Sequence, residues 1–407
     1  MRSINTHSVP RIAAALLLLP ALTSCGGDGD CWDCALEVSN GLVAADFGGS
    51  GSNSIVATST VLQYAQINPG NLKIYLAGAP GSFAAPSVIP AGDDPLFLAS
   101  ADLNGDRLPD IVSASYDDAR ISVFLNEAQS PGTFAAPLTL ASQGVSQLAV
   151  ADMNGDGSPD IVAADYAVSL FLQTSPGTFG SAVGLYPGGA NWVTVGDLNG
   201  DGIPDIALTD SVGVKLLLHV GPAGQIAYAP PVSVFTQTPN ANVAGANLIA
   251  IADVNGDGSN DLVITDPGPT GCGSPTVSVL PQDAAHPGQF LSPVSYPLGG
   301  CNPAQSILVK DVNDDGHPDI LIGGENAVTV LLQNAASPGT FLAASSYAAP
   351  DSNEIAVADI NGDGYPDIVV PTGPPQSIVN GVQGNAPGVL LQNSGSPGTF
   401  TALQPLP

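Results

Sequence analysis

The stretch Asp152-Met153-Asn154-Gly155-Asp156-Gly157-Ser158-Pro159-Asp160 places side-chain oxygens at positions 1, 3, 5 and 9 of one short loop, with glycine at position 6. Carboxylate and amide oxygens at that spacing suit a hard cation, a backbone carbonyl at position 7 adds a further ligand, and Gly157 permits the sharp turn. Ala149-Val150-Ala151 precedes the loop and Ile161-Val162-Ala163 follows it. These are short apolar β-type runs, and the acidic twelfth position of an EF-hand is missing. The reading is a calcium loop at the tip of a β-hairpin.

Five further copies keep the template: Asp102/Asn104/Asp106/Asp110, Asp197/Asn199/Asp201/Asp205, Asp253/Asn255/Asp257/Asp261, Asp311/Asn313/Asp315/Asp319 and Asp359/Asn361/Asp363/Asp367. With Asp152/Asn154/Asp156/Asp160 they make up to six calcium sites. Arg107 replaces the position-6 glycine in the first of these copies, and Asp314 is an extra acid in the copy at Asp311. A degenerate copy from Asp46 to Ser54 keeps position 1 and lacks the carboxylates at 5 and 9, so it is expected to keep the hairpin and bind no metal. Asn, Asp and Gly favour turns in any case; recurrence in fixed phase is what separates these loops from ordinary solvated turns.

The elements that must position the loops repeat with them. Loops begin at residues 46, 102, 152, 197, 253, 311 and 359, a period of roughly 50 residues that belongs to solenoids, propellers or arrays. Each unit reads as strand A, metal loop, strand B, strand C, a turn and strand D. In the unit of Asp152 these are Gln147 to Ala151, Ile161 to Ala164, Val168 to Gln173, the turn Ser175-Pro176-Gly177-Thr178-Phe179, and Val183 to Tyr186. The turn recurs at Ser130 to Phe134, Ser337 to Phe341 and Ser396 to Phe400, and more weakly at Pro80 to Phe83 and Pro287 to Phe290. β-Branched alternation supports strands, and Pro/Gly clusters punctuate them. Seven units of four strands predict an all-β, seven-bladed β-propeller. Its first unit is expected to begin at strand A, near Leu36 to Ala45, and the tail Phe400 to Leu406 is expected as a spare strand D that completes the ring beside that unit.

Ahead of the array, Arg2 and Arg11 flank a polar start and Ile12 to Leu22 forms an apolar run too short to span a bilayer. It ends in Leu22-Thr23-Ser24-Cys25, which resembles a bacterial lipoprotein lipobox and implies cleavage before Cys25 and lipidation of its sulfur. The expected organisation is a signal peptide over 1–24, a lipidated tether over 25–34 and the propeller over 35–407. The chain carries 7 Lys+Arg and 36 Asp+Glu, a net charge of −29. Such a surface repels nucleic acid and anionic headgroups and attracts cations, so no nucleic-acid partner is expected and the membrane is met through the lipid alone. An exported protein permits disulfides, and a local bridge between Cys31 and Cys34 is a simpler reading than redox chemistry.

The Asp-x-Asn-Gly-Asp-Gly-x-Pro-Asp loops and Pro-Gly-Thr-Phe turns resemble the FG-GAP/VCBS family, the repeat of the integrin α-chain propeller and of many bacterial exported proteins. The resemblance covers about residues 35 to 407. It implies that the loop oxygens are calcium ligands, joined by the position-7 carbonyls of Leu108, Ser158, Ile203, Ser259, His317 and Tyr365. It does not fix function.

The strand order puts metal loops and Pro-Gly-Thr-Phe turns on one face and the B–C and D–A loops on the other. The second face varies from unit to unit, and variable loops on a rigid scaffold commonly carry recognition. Tyr116, Tyr166 and Trp192 are the candidate ligand-binding residues there, and Cys272 and Cys301 are expected to pair across two adjacent units. The function expected is a surface-anchored binding or adhesion module for a glycan or protein partner at the bacterial cell envelope, without catalysis. The alternative is a calcium-dependent lyase or hydrolase of envelope polysaccharide. Against it, His219, His286 and His317 are scattered, and only Lys73, Arg107, Arg120, Lys215 and Lys310 follow the leader as cations.

Overall fold

The computed structural model describes residues 35–406 except 64, 65, 68, 116, 117, 143, 165, 237–247, 268–274, 301, 302, 372–377, 380, 381, 384 and 385. Among these residues the regular structure is β, with no helix long and apolar enough to cross a membrane. Seven antiparallel sheets follow one another along the chain. The inner strands are Leu42–Ala45, Pro95–Ala101, Gln147–Ala151, Trp192–Gly196, Ile249–Ala252, Ala304–Lys310 and Ala356–Ala358. Each blade packs on the next, and the first packs on the last, which closes a seven-bladed propeller.

Blade three shows the pattern. Gln147–Ala151 pairs with Asp160–Ala164, which pairs with Val168–Phe171, which pairs with Val183–Tyr186 at the rim. The second strand of each blade is sandwiched between neighbouring blades and buried on both faces, as Asp160–Ala164 and Asp205–Thr209 are throughout. That explains its unbroken apolar run, where a strand with one wet face would alternate. Position 2 of every loop is apolar and buried: Phe47, Leu103, Met153, Leu198, Val254, Val312 and Ile360 plug the loop into the core. Burying such a side chain contributes about 1.5–3 kcal/mol.

Two expectations about the ends are corrected. The tail strand Gln404–Pro405 pairs with Gly388–Leu390 of its own blade, so every blade is built from one repeat. Side chains contribute to closing the ring: Leu42, Ile55 and Tyr75 of blade one share a core with Ala358, Ile360 and Val389 of blade seven. Glu354 Oε2 accepts a hydrogen bond from the Leu42 amide at 2.7 Å, and Asn353 Nδ2 donates to Asn40 Oδ1 at 3.0 Å. The inner strand of blade one is Leu42–Ala45 alone. Ala35–Val38 is a separate strand on the long Ser54–Gln63, and it pairs in parallel with Val382–Gln383 of the blade-seven B–C connection.

Candidate functional site

Each candidate loop is folded by its own acids. In the copy at Asp102, the position-1 carboxylate accepts the amides of Gly105 and Asp106 at Oδ1 (2.7 and 3.1 Å) and of Arg107 at Oδ2 (2.7 Å). Asn104 Oδ1 accepts the Asp106 amide and Asp106 Oδ1 the Leu108 amide, both at 2.9 Å. The copies at Asp152, Asp197, Asp253, Asp311 and Asp359 repeat the bond from the position-6 amide to position 1. Position 6 is left-handed in all six; five have glycine there and Arg107 sits at φ +73°, a conformation that costs a side-chain-bearing residue about 1–2 kcal/mol. Asp314, at a left-handed position 4, takes φ +59°.

Positions 3 and 5 cap the loop's own amides and bond to each other. The oxygens of Asn154, Asn199, Asn255, Asn313 and Asn361 accept the amides of Asp156, Asp201, Asp257, Asp315 and Asp363, at 2.8 to 3.1 Å. Those aspartates in turn accept the position-7 amides of Ser158, Ile203, Ser259, His317 and Tyr365. The asparagine Nδ2 donates to the same aspartate's Oδ2: Asn154 to Asp156 at 2.9 Å, Asn255 to Asp257 and Asn313 to Asp315 at 3.0 Å, Asn361 to Asp363 at 3.1 Å, and Asn199 to Asp201 at 3.4 Å. Among the described residues no three His, Cys, Asp or Glu side chains form a ready-made metal cage.

The position-9 carboxylate is the deepest part of the site. Asp110, Asp160, Asp205, Asp261, Asp319 and Asp367 are fully buried. One oxygen accepts the amide of position 2 and the other the amide just after strand C, as Asp160 does from Met153 (3.0 Å) and Gln173 (2.7 Å). Burial pushes the carboxyls of Asp110, Asp160, Asp205, Asp261 and Asp319 up to about 6; the backbone donors oppose this, and the position-5 and position-1 carboxylates add to it. Asp367 is raised for the same leading reason. In blade one Ser54 takes this place, buried and neutral, and its Oγ accepts the Ala77 amide at 3.1 Å. Asp46 still accepts the Ser50 and Gly51 amides, so the degenerate copy has the loop's shape without its inner acid.

The residue after strand C went unread in the sequence. It is Asn126, Gln173, Gln282, Gln333 or Gln392, buried in each case. Its side-chain amide donates to the position-8 carbonyl: Pro109, Pro159, Asn260, Pro318 and Pro366. In blades two, six and seven its oxygen accepts the turn glycine's amide, at Gly132, Gly339 and Gly398. This clamp ties loop to turn within a blade. The turn then reaches back to the preceding blade: the Gly177 amide donates to the Leu103 carbonyl at 2.7 Å and the Gly224 amide to the Asn154 carbonyl at 2.5 Å. Asn126 Nδ2 also donates to the Phe47 carbonyl at 2.9 Å. Turn phenylalanines join the contact edge-on, Phe134 against Phe47, Phe341 against Tyr296 and Phe400 against Tyr347. Loops and turns thus share one face, as the strand order implied.

The opposite face separates the candidate ligand residues. Tyr166 is 66% exposed on the B–C loop of blade three. Trp192 is not a surface residue: it begins the inner strand Trp192–Gly196, is 7% exposed, and donates from Nε1 to the Ile249 carbonyl at 2.9 Å. Its ring fills the space between blades four and five and offers no face to a ligand. Tyr116 lies outside the described residues, as do Cys25, Cys31, Cys34, Cys272 and Cys301. Cations are dispersed over the blades. Arg120 pairs with Asp118 at 2.9 Å, Lys215 bonds Asp210, and Lys310 donates to the Val357 carbonyl at 2.8 Å.

Comparison with known proteins bears on fold. An Agrocybe aegerita lectin that recognises non-reducing terminal N-acetylglucosamine is 21% identical, with a TM-score of 0.54 over 76% of this chain and 79% of that one. The V. cholerae biofilm matrix protein Bap1 is 13% identical (TM-score 0.45, 86% of each chain), and the rhamnogalacturonan lyase YesW is also 13% identical (TM-score 0.47, 83% of this chain and 70% of that one). No curated protein matches the chain. The FG-GAP-like repeat model matches residues 102–163, 161–208, 197–264 and 311–370, each containing loops of the kind described above. The chain belongs to the FG-GAP-like repeat family.

Proposed function

We propose that this chain is a calcium-stabilised propeller, anchored at the bacterial envelope through a lipid on Cys25, that binds a glycan or protein partner through its B–C and D–A loops. One observation carries the choice of face. The loops and turns of the metal-loop face are occupied in holding blade to blade, whereas the opposite face differs in every blade and presents Tyr166. A tyrosine ring offers a stacking surface and a polar handle, which suits a sugar or a protein side chain. The lectin with the related fold is consistent with a glycan.

The donor set fits calcium. Three carboxylates, one amide oxygen and a backbone carbonyl per loop are hard ligands. The buried position-9 acid stands in the field of two other carboxylates, and a divalent ion would neutralise that field. Binding would exchange the mutual bonds of positions 3 and 5, such as Asn154 with Asp156, for contacts to the ion. Bound calcium would supply charge and rigidity to the loops; the chain's own residues do the rest, since the clamp amides and turns pass that order to the next blade. The lyase or hydrolase reading is less favoured because Arg120, Lys215 and Lys310 stand on different blades, each engaged within the fold.

The test is a glycan array probed with the detergent-solubilised full-length chain in calcium and in EDTA. The proposal expects retention of a defined sugar class in calcium, loss in EDTA, and binding weakened about tenfold or more in Tyr166→Ala, on the scale of a ring-stacking loss of about 1–3 kcal/mol. Release of shortened glycan products would favour the enzyme reading. A blank array from a folded protein would move the assignment to a protein partner.

A further inference from the structure

The first strand fixes where the chain enters the propeller. The second strand of blade one, Ser54–Gln63, has 10 residues, where its counterparts in the other blades have 4 to 6. Its start pairs with the inner strand, from Ser54 opposite Ala45 to Ala57 opposite Leu42. Its last residues run on past the ring on the B–C side. Ala35–Val38 pairs with that extension, Val38 opposite Thr60 and Leu36 opposite Leu62. Gln66–Ile67 and Pro69–Tyr75 occupy the other edge of Ser54–Gln63. Ala35–Val38 therefore stands on the edge toward the propeller axis, in line with Leu42–Ala45. Val382–Gln383 pairs in parallel along its far side and holds it there. Traced back from Val38, the antiparallel register carries the chain away from the ring, and Ala35 falls level with Gln63 at the tip of the extension.

Cys25 lies ten residues before Ala35. Ten residues reach at most about 36 Å, so a bilayer holding a lipid on Cys25 stands within that distance of the tip. The surface nearest to it is the one formed by the B–C and D–A loops. To turn the metal-loop face to the membrane instead, the tether would have to cross from the axis-side edge to the rim, three strand spacings or about 14 Å. It would then have to descend the length of Ser54–Gln63, about 33 Å. That path is longer than the tether. Charge does not stand in the way. The net charge of −29 repels an anionic leaflet, but the repulsion decays over about 8 Å at physiological ionic strength, well within the tether's reach.

We propose that the B–C and D–A loops face the bilayer that holds the chain's own lipid, and that the surface they form serves a partner carried by that bilayer. The inference rests on lipidation of Cys25 and deepens the functional reading above by giving its binding surface a direction. Tyr166 and Val212, 66% and 56% exposed at the B–C tips of blades three and four, stand on this membrane-facing side. A partner fixed in the same membrane meets them at high effective concentration, so weak contacts suffice. A bulky partner from the medium or on a facing cell is shut out by the short tether.

The experiment adds the full-length lipidated chain to preformed phosphatidylcholine vesicles, with the same protein in detergent as control. Two variants each carry a biotin-coupled unnatural residue, one in place of Val212 and one in place of Val220. Both positions are exposed, and they flank the third strand of blade four, Gly213–Leu217, so one label lies on each face. Streptavidin, a tetramer about 50 Å across, is the probe. In detergent it should capture both variants. On vesicles the proposal expects capture at position 220 to persist and capture at position 212 to be lost. Equal capture at both positions on vesicles, or loss at position 220 instead, overturns the proposal. The mass of the N-terminal peptide reads the anchor separately. A lipid present together with equal capture leaves the anchor standing and removes only its direction; a peptide without lipid fails the anchor reading, and this proposal with it.

Discussion

Asn126 ties three separate stretches of the fold together. Its side chain donates to the carbonyls of Pro109 and of Phe47 in the preceding blade, and accepts the Gly132 amide. Asn126→Ala leaves these buried groups without partners, at about 1–3 kcal/mol for each one left unsatisfied. We expect a loss of at least about 2 kcal/mol in urea unfolding; a change below about 0.5 kcal/mol, the scale of an ordinary surface substitution, would remove the clamp from the account. The acids of the loop were legible in the sequence because their spacing is rigid. Their partners were not: spacing brings Asn255 beside Asp257 and Asn361 beside Asp363, but only the folded backbone shows which amides claim their oxygens. The clamp was not legible either, because the B–C hairpin between it and position 9 changes length from blade to blade. In blades two, five, six and seven it keeps one distance to the turn aromatic, as Asn126 to Phe134, Gln282 to Phe290, Gln333 to Phe341 and Gln392 to Phe400 show, while blade three (Gln173 to Phe179) shortens it and blade four (His219 to Tyr228) lengthens it. Trp192 was misplaced for a related reason: sequence gives its position at a strand entrance but not the blade that closes over it.

At the scale of elements, the B–C turn of blade four is held by one carboxylate. Asp210 Oδ1 accepts the Val212 and Gly213 amides, while Oδ2 accepts the Tyr186 hydroxyl of blade three at 2.9 Å and bonds Lys215. Burial works against the charge, but Lys215 and these donors outweigh it and hold Asp210 below the usual carboxylate range. The same bond raises Lys215 against its own burial. A carboxyl depressed in the folded state adds stability that is present above its unfolded value and lost as pH falls through the folded one. Asp210→Asn should therefore cost about 1.5–3 kcal/mol at pH 7, the scale of a hydrogen bond to a charged group. The gap to wild type should begin to shrink as pH falls below the ordinary carboxylate value of about 4 and close only below the depressed folded value. A constant gap in urea unfolding from pH 7 to 3 would contradict this. Hairpins of this kind were readable from Pro/Gly punctuation. The Tyr186–Asp210 contact was not, because it joins residues of two blades through the curvature of the ring.

The whole molecule is a ring whose blades each take their four strands from one repeat, and first and last are joined by packing and by the parallel pairing of Ala35–Val38 with Val382–Gln383. The number of blades was legible from seven loop starts in one phase. The mode of closure was not, because a spare terminal strand can pair with its own blade or with the first, and only packing decides. Closure depends on the Leu42–Ile360 core, on Glu354 and on interlocked loops and turns, and metal-bound loops would tighten every one of those joints. The most direct measurement is the thermal unfolding of the full-length chain in EDTA and in 10 mM calcium. Extracellular sites bind at about 10⁻⁴ to 10⁻³ M, so this calcium concentration adds roughly 1.4–2.7 kcal/mol for each occupied loop. The account predicts a Tm higher in calcium by on the order of 10 °C for several occupied loops, with magnesium giving little of the effect. An unchanged Tm would contradict calcium as the ion that holds the ring together.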